Sequence, residues 1–290
     1  MAFARHVWLL VKDTVEGFVA DEALSRGASI AYYTLFSLAP VLLVVIAIAG
    51  LAFGREAAQG AIVRQLGLMM GPSTAEALQS MVESAALPRE GIWASVIGIV
   101  VLLVATSGVF GEVQSAMNAI WKAGPPRQSI LSRLVRARVV SLGLVVTAGF
   151  LLTVSLATSA GLAAMGTYLR IIFPAAQVAL NVVDVVVSGV LIAGLFAAMY
   201  KVLPDTDIAW RDVAVGAVAT MLLFEGGKYA IALYVGQSNV ASSYGAAGAL
   251  IVLLVWIYYS AQIFLLGAEF TRSFARRYGS HGPNSGRSDA

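Results

Sequence analysis

The sequence contains no cysteine and only two histidines, His6 and His281, one near each end. The lack of cysteine excludes a disulfide framework, a cysteine-ligated metal and a thiol nucleophile. Two histidines so far apart cannot form a histidine metal triad or an HExxH helix, and the motifs GxSxG, GxxxxGK(S/T) and GxGxxG do not occur. We therefore expect no enzyme activity, no cofactor and no catalytic metal. A site built from carboxylates alone is the one metal centre that the composition leaves open.

Charged residues are also scarce. They make up 12% of the chain, against about 25% in average soluble domains. Hydrophobic residues make up 59% of the chain, and the mean hydropathy is +0.83. The isoelectric point is about 9.2, but the formal net charge is only +3. This charge is too small to indicate nucleic-acid binding, and the composition favours a membrane protein.

Long apolar runs define the fold class. The segment from Ala28 to Ala52 holds no charged side chain and has Pro40 near its middle. An α-helix needs roughly 20 apolar residues to cross a bilayer, and five further segments are long enough. The predicted spans are about 28–53, 92–111, 138–164, 176–200, 213–235 and 246–270. The sequence thus predicts an all-α, polytopic membrane domain over 28–271 with six transmembrane helices, which could divide into two inverted three-helix halves.

The basic residues predict the orientation of these spans. Among the 19 Lys and Arg residues, Lys228 falls inside a span, and four fall on the side opposite the N-terminus: Arg55, Arg64, Arg89 and Arg170. All the others fall on the N-terminal side, so the positive-inside rule places both termini in the cytoplasm. The first 27 residues are punctuated by charges, which argues against a cleaved signal peptide.

Three segments outside the spans have patterns of their own. Residues 1–27 carry an apolar helical stripe, which predicts an amphipathic helix lying in the membrane interface. The segment 55–90 holds two short apolar-periodic runs, so we expect a small helical cap on the outer face. Residues 272–290 are predicted to be a disordered cytoplasmic tail, because 279–290 are polar and rich in Gly and Ser.

Charged side chains inside the spans are the strongest functional candidates, since one near the bilayer centre costs about 2.5–3.5 kcal/mol on insertion scales. Glu225 and Lys228 lie three residues apart in the fifth predicted span, on the same helical face. They either neutralise each other and fasten helices, or contact a substrate or ion. Asp184 in the fourth span has no basic residue within one turn, so its partner must come from elsewhere, and Lys228 is the obvious candidate.

Helix-breaking residues supply candidates for motion. Pro40 removes one backbone hydrogen bond from the first span, which either shapes the bundle or provides a hinge. Gly226 and Gly227 beside the charged pair would let helices approach closely or unwind. Glu112 and Glu269 are interpreted as acids at exposed helix ends, and Gln262 and Asn118 as hydrogen-bond partners between helices.

Three ordered segments resemble the YihY/BrkB family of bacterial inner-membrane proteins. They are ASIAYYTLFSLAP (28–40), YKVLPDTDIAWRD (200–212) leading to EGGKY (225–229), and SYGAAGALIVLLVWIYYSAQIFLLGAEF (243–270). The resemblance covers about residues 20–275 and implies a six-span protein of the bacterial cytoplasmic membrane. The family includes a member named for serum resistance and virulence. It also carried a ribonuclease BN label, which the lack of clustered histidines and acids here contradicts.

Two functions remain open at this point. One is a transporter or flippase that moves a lipid, an amphiphile or a small solute, with membrane lipids and that cargo as its partners. The alternative is a non-transporting envelope scaffold or assembly factor. The oligomeric state, including a homo-oligomer, is left open.

Overall fold

The protein is seen in a computed structural model that describes residues 2–70, 72–86, 108–124, 176–237 and 246–280, with residue 143 and parts of 146–158 in between. All regular secondary structure within these ranges is helical, as the sequence predicts. The helices whose bounds lie within the described residues are α1 Ala2–Ala20, α2 Ala23–Phe53, α3 Arg55–Met70, α4 Pro72–Ala86, α5 Ala176–Val202, α6 Trp210–Gln237 and α7 Ala246–Arg277. Residues 108–120 and the described residues between 143 and 158 are helical as well.

Four of the described helices are long and apolar enough to cross a bilayer: Ala23–Phe53, Val182–Val202, Trp210–Ile231 and Gly248–Arg277. They correspond to the predicted spans 28–53, 176–200, 213–235 and 246–270. The predicted span 92–111 is described only from residue 108, and 138–164 only in fragments, so both fall largely outside the described residues. The count of six spans and the inverted halves therefore stay predictions.

The boundary between α1 and α2 differs from the expected one at residue 27. The chain turns at Asp21 and Glu22, where Glu22 adopts a left-handed φ of 55°, and α2 begins at Ala23. Arg26 does not interrupt α2, because its guanidinium donates a 2.9 Å hydrogen bond back to the carbonyl of Asp21. The positive charge of Arg26, which lies before the predicted start of the first span at residue 28, is thus held at the turn between α1 and α2.

The structure also differs from the prediction that the chain is disordered from residue 272 onward. Helix α7 continues to Arg277, and the chain is described as far as residue 280. Two interactions hold this end. Arg277 forms an ion pair with Asp13 of α1, and Ser280 donates from its backbone N–H and its hydroxyl to Asp212 Oδ2 at 2.9 and 2.7 Å. Residues 281–290 lie outside the described part.

Helix α7 is the centre of the packing. It contacts α1, α2, α3, α4 and α6, while α5 packs on α6. Helices α6 and α7 interlock through two glycine–threonine pairs: Gly216 faces Thr271 of α7, and Gly267 faces Thr220 of α6. Each threonine hydroxyl donates to the carbonyl of the glycine four residues before it, at 2.7 Å for Thr220 and 2.6 Å for Thr271. The small residues thus let the two backbones approach closely.

The fully buried Tyr200 connects three helices at this crossing. Its hydroxyl donates to the carbonyl of Phe264 in α7 at 2.8 Å and lies 2.8 Å from the Thr220 hydroxyl in α6. Its ring lies 5.2 Å from the ring of Phe264. Satisfying the hydroxyl inside an apolar bundle avoids the penalty of an unpaired buried polar group.

The predicted external segment forms the helices α3 and α4. They pack against each other and against α2, and α4 also contacts α7. Leu78 of α4 is buried with Leu253 of α7 and with partly buried leucines of α2. The helices also expose many large apolar side chains, among them Leu51, Val185 and Leu222. Such exposure suits hydrocarbon as the surrounding solvent rather than water.

Candidate functional site

The predicted intramembrane pair forms in α6. Lys228 Nζ donates to Glu225 Oε1 at 2.7 Å. The Lys228 side chain is 29% exposed and the Glu225 side chain 32%. The three-residue spacing places both groups on one helical face. Lys228 Nζ also lies 5.9 Å from the centre of the Phe224 ring, which in turn packs edge-on against Trp256 of α7. A partly accessible ion pair thus borders an aromatic cluster between two membrane-spanning helices.

Asp184 lies on α5 and is partly exposed. Its predicted meeting with Glu225 and Lys228 stays a prediction, whereas the local Glu225–Lys228 pair is present. Pro40 lies inside an unbroken helix, since α2 continues from Ala23 to Phe53.

A second charged site, which the sequence did not single out, lies where α1, the α1–α2 turn and α7 meet. Its buried acids are Asp21 and Glu269, whose side chains are 5% and 1% exposed. One nitrogen of Arg272, Nη1, lies 3.3 Å from Asp21 Oδ2 and 3.6 Å from Glu269 Oε2. Lys122, in the turn after the helical segment 108–120, also pairs with Asp21. The two carboxyl groups are therefore close enough to share a single guanidinium.

These residues border a cavity of about 510 Å³. Its lining is strongly polar, with alternating acids and bases from α1, the turn and α7: Asp13, Glu16, Gly17, Ala20, Asp21, Lys122, Glu269, Arg272, Ser273, Arg276 and Arg277. Lys122 is 58% exposed and Arg272 16%, whereas Glu269 is almost fully enclosed. The cavity is thus open at one side and ends at a buried carboxyl group.

Helix α1 fits tightly against this site. A Cβ atom at Gly17 would lie 2.5 Å from Glu269 Oε2, so a larger residue at this position would require the carboxyl group or α1 to move. One turn earlier, Arg277 hydrogen-bonds Asp13, and this contact lowers the pKa of the Asp13 carboxyl below its ordinary value. Oε1 of Glu269 has no hydrogen-bond partner in the described part of the chain.

The expectation for Glu269 as an exposed helix end is wrong. Glu269 lies near the end of an apolar run, where acids are usually solvated, but α7 continues for two more turns and α1 covers it. One signal in the sequence was available, because Arg272 follows Glu269 at the spacing of one helical turn. Asp21 lies in a turn and carries no periodic signal at all.

Of the two residues predicted to bond between helices, Gln262 does so, whereas Asn118 bonds to a loop. The Asn118 side chain donates to Asp205 Oδ2 at 2.8 Å and accepts a 2.8 Å hydrogen bond from the Asp205 backbone N–H, which ties the loop after α5 to the helical segment 108–120. Gln262 of α7 donates to the carbonyl of Leu24 in α2 at 3.3 Å. No group of three or more potential metal ligands of the His, Cys, Asp or Glu type occurs among the residues described.

Comparison with known proteins supports the resemblance. A family model described as "Virulence factor BrkB" matches residues 14–290. Proteins named "UPF0761 membrane protein" from Alcanivorax borkumensis and Azotobacter vinelandii are 28% and 29% identical over 89% and 88% of this chain. The alignments cover 58% and 60% of those proteins, so the chain spans about three fifths of the curated relatives it matches. No solved structure matches the chain.

Proposed function

The chain belongs to the virulence factor BrkB family of membrane proteins, and from this premise we propose that it transports a lipid, an amphiphile or a small solute across the bacterial cytoplasmic membrane. In this proposal both termini face the cytoplasm, as the distribution of basic residues predicts. Transport requires no enzyme chemistry and no cofactor, and membrane lipids and the cargo are the partners. A homo-oligomer is compatible with it.

The observation that carries the proposal is the Glu225–Lys228 ion pair in α6. Ionisable groups in membrane-spanning helices are costly and usually mark substrate or ion pathways. This pair is about one third exposed rather than sealed into the packing, and it borders the aromatic cluster of Phe224 and Trp256. Opposite charges beside aromatic faces can bind a cargo that combines polar and apolar parts.

The test is the double substitution Glu225→Gln with Lys228→Met, compared with both single changes. Each variant is expressed in a bacterial strain that lacks the gene, and both membrane abundance and rescue of an envelope-stress phenotype are measured. We expect the double variant to accumulate normally, because no unpaired charge remains, and to lose rescue. Each single variant should also lose abundance, since it leaves one charge without its partner.

Glu83→Gln is the matched control, because Glu83 is an exposed acid on α4. It should accumulate and rescue like the unmodified protein. If the Glu225→Gln, Lys228→Met protein also rescues fully, the pair only fastens the helix and the transport proposal loses its site. The scaffold alternative would then be favoured.

A further inference from the structure

The cavity between α1 and α7 is lined by two enclosed acids, Asp21 and Glu269, of which Glu269 is the more deeply buried. Lys122 lies at the open side, Arg272 is mostly covered, and Glu269 is 1% exposed. Water can enter a polar space of about 510 Å³, whose volume is many times that of one water molecule. The cavity therefore brings water next to the residues that cover the Glu269 carboxyl group.

Glu269 is incompletely satisfied as a carboxylate. Oε2 faces the Arg272 guanidinium at 3.6 Å, beyond hydrogen-bond distance, and Oε1 has no hydrogen-bond partner among the residues described. The same guanidinium approaches Asp21 more closely, at 3.3 Å, and Lys122 also pairs with Asp21. The two cations are thus directed mainly at Asp21. Burial without full pairing favours the neutral form of a carboxyl group.

Charges from every surrounding element act on this group. An ionised Asp21 disfavours a second negative charge beside it, whereas Arg272 and Lys122 favour one. The other charged groups that line the cavity are Asp13, Glu16, Arg276 and Arg277. They are balanced in sign, and Asp13 and Arg277 pair with each other. The charge state of Glu269 is therefore set mainly by Asp21, Arg272 and Lys122.

We propose that Glu269 is a proton-exchange site, open to the cytoplasm through this cavity, whose protonation makes transport depend on cytoplasmic pH. The inference rests on the transport function proposed above and names a means of regulating it. The step is a simple proton transfer: the Glu269 carboxylate takes a proton from cavity water to become a neutral carboxylic acid, and returns it to cavity water on release. Neutral Glu269 no longer attracts Arg272, which stays paired with Asp21.

The first experiment measures proton uptake directly and needs no cargo. Purified full-length protein in lipid nanodiscs is moved from mildly alkaline to mildly acidic pH, and proton uptake is followed with an indicator dye. We expect Glu269→Gln to take up one proton fewer per chain than the unmodified protein. Glu83→Gln is the control, because it removes one exposed carboxyl group on α4 that does not line the cavity.

Two further variants keep the test decisive if Glu269→Gln folds poorly. Lys122→Met removes a cation at the open side of the cavity, so uptake should shift to higher pH. Asp21→Asn removes the neighbouring negative charge, so uptake should shift to lower pH. Opposite shifts from these two changes would identify Glu269 as the responding group, and unchanged uptake in both would overturn the proposal.

The second experiment links the proton to transport. In the strain that lacks the gene, Glu269→Gln should reach normal abundance but not rescue, because glutamine imitates the protonated acid and cannot release a proton. If the Glu269→Gln protein takes up as many protons as the unmodified protein, or rescues the strain fully, the link between Glu269 protonation and transport is refuted. These outcomes do not depend on the Glu225 and Lys228 variants, so failure of the transport proposal can be distinguished from failure of this one.

Discussion

Two neighbouring glycines, both predicted to be hinge or packing positions, have opposite surroundings. Gly227 is buried against Tyr259 of α7, and an added Cβ would overlap the ring of that tyrosine as well as its hydroxyl. An added Cβ at Gly226 would meet nothing within 4 Å among the residues that the structure describes. The packing role therefore belongs to Gly227, and sequence alone could not separate two identical residues.

This difference predicts opposite effects of one methyl group. Gly226→Ala should stabilise the protein by up to about 1 kcal/mol through helix propensity. Gly227→Ala should destabilise it by about 1–3 kcal/mol through overpacking. The check is thermal unfolding of both variants in the same detergent. Equal unfolding temperatures would contradict the contact with Tyr259, and Tyr259→Ala should relieve part of the Gly227→Ala effect.

At the scale of elements, α1 is docked on the end of α7. The Asp13–Arg277 ion pair and the close approach of Gly17 to Glu269 hold it there. Arg277 lowers the pKa of Asp13 through a hydrogen bond, partly offset by desolvation. The apolar stripe predicted an amphipathic helix here, but a stripe does not specify what covers it. The partner helix comes from the opposite end of the chain.

The lowered pKa of Asp13 predicts how acid affects this docking. The folded-state pKa lies below the unfolded value, so the ion pair stabilises the fold above the ordinary Asp range, and this contribution is lost as pH falls through the folded-state pKa. Because both side chains are about one third exposed, solvent screening keeps this contribution small.

Hydrogen exchange of the α1 amides measures this effect. Relative to the intrinsic exchange rate, which itself falls with pH, the protection of the α1 amides should decrease on acidification in the unmodified protein. Asp13→Asn should exchange faster than the unmodified protein at neutral pH and respond less to acid. An unchanged acid response in Asp13→Asn would show that another group controls the docking of α1.

At the scale of the whole molecule, the predicted orientation can be tested because the chain has no cysteine. A single introduced cysteine is then the only thiol. Position 12 on α1 and position 60 on α3 are both exposed, and an added Cβ at Gly60 would meet nothing within 4 Å. The positive-inside rule places these two positions on opposite sides of the membrane.

We expect a membrane-impermeant maleimide to label Gly60→Cys in intact cells with a permeabilised outer membrane. Lys12→Cys should be labelled only after the inner membrane is opened. Labelling of both positions before that step would contradict a cytoplasmic N-terminus. A cysteine-free sample reports the background.

The sequence by itself determined that this is a helical membrane protein and to which family it belongs. It also located four spans that the structure contains and the Glu225–Lys228 pair. These depend on local composition, or on residues within one helical turn of each other. Only the tertiary structure decided that Glu269 is buried, that Asp21, Lys122 and Arg272 gather around it, and that Gly227 rather than Gly226 packs. Each of these depends on which distant helix covers a residue, and the three-dimensional packing of helices α1, α2, α6 and α7 sets that arrangement.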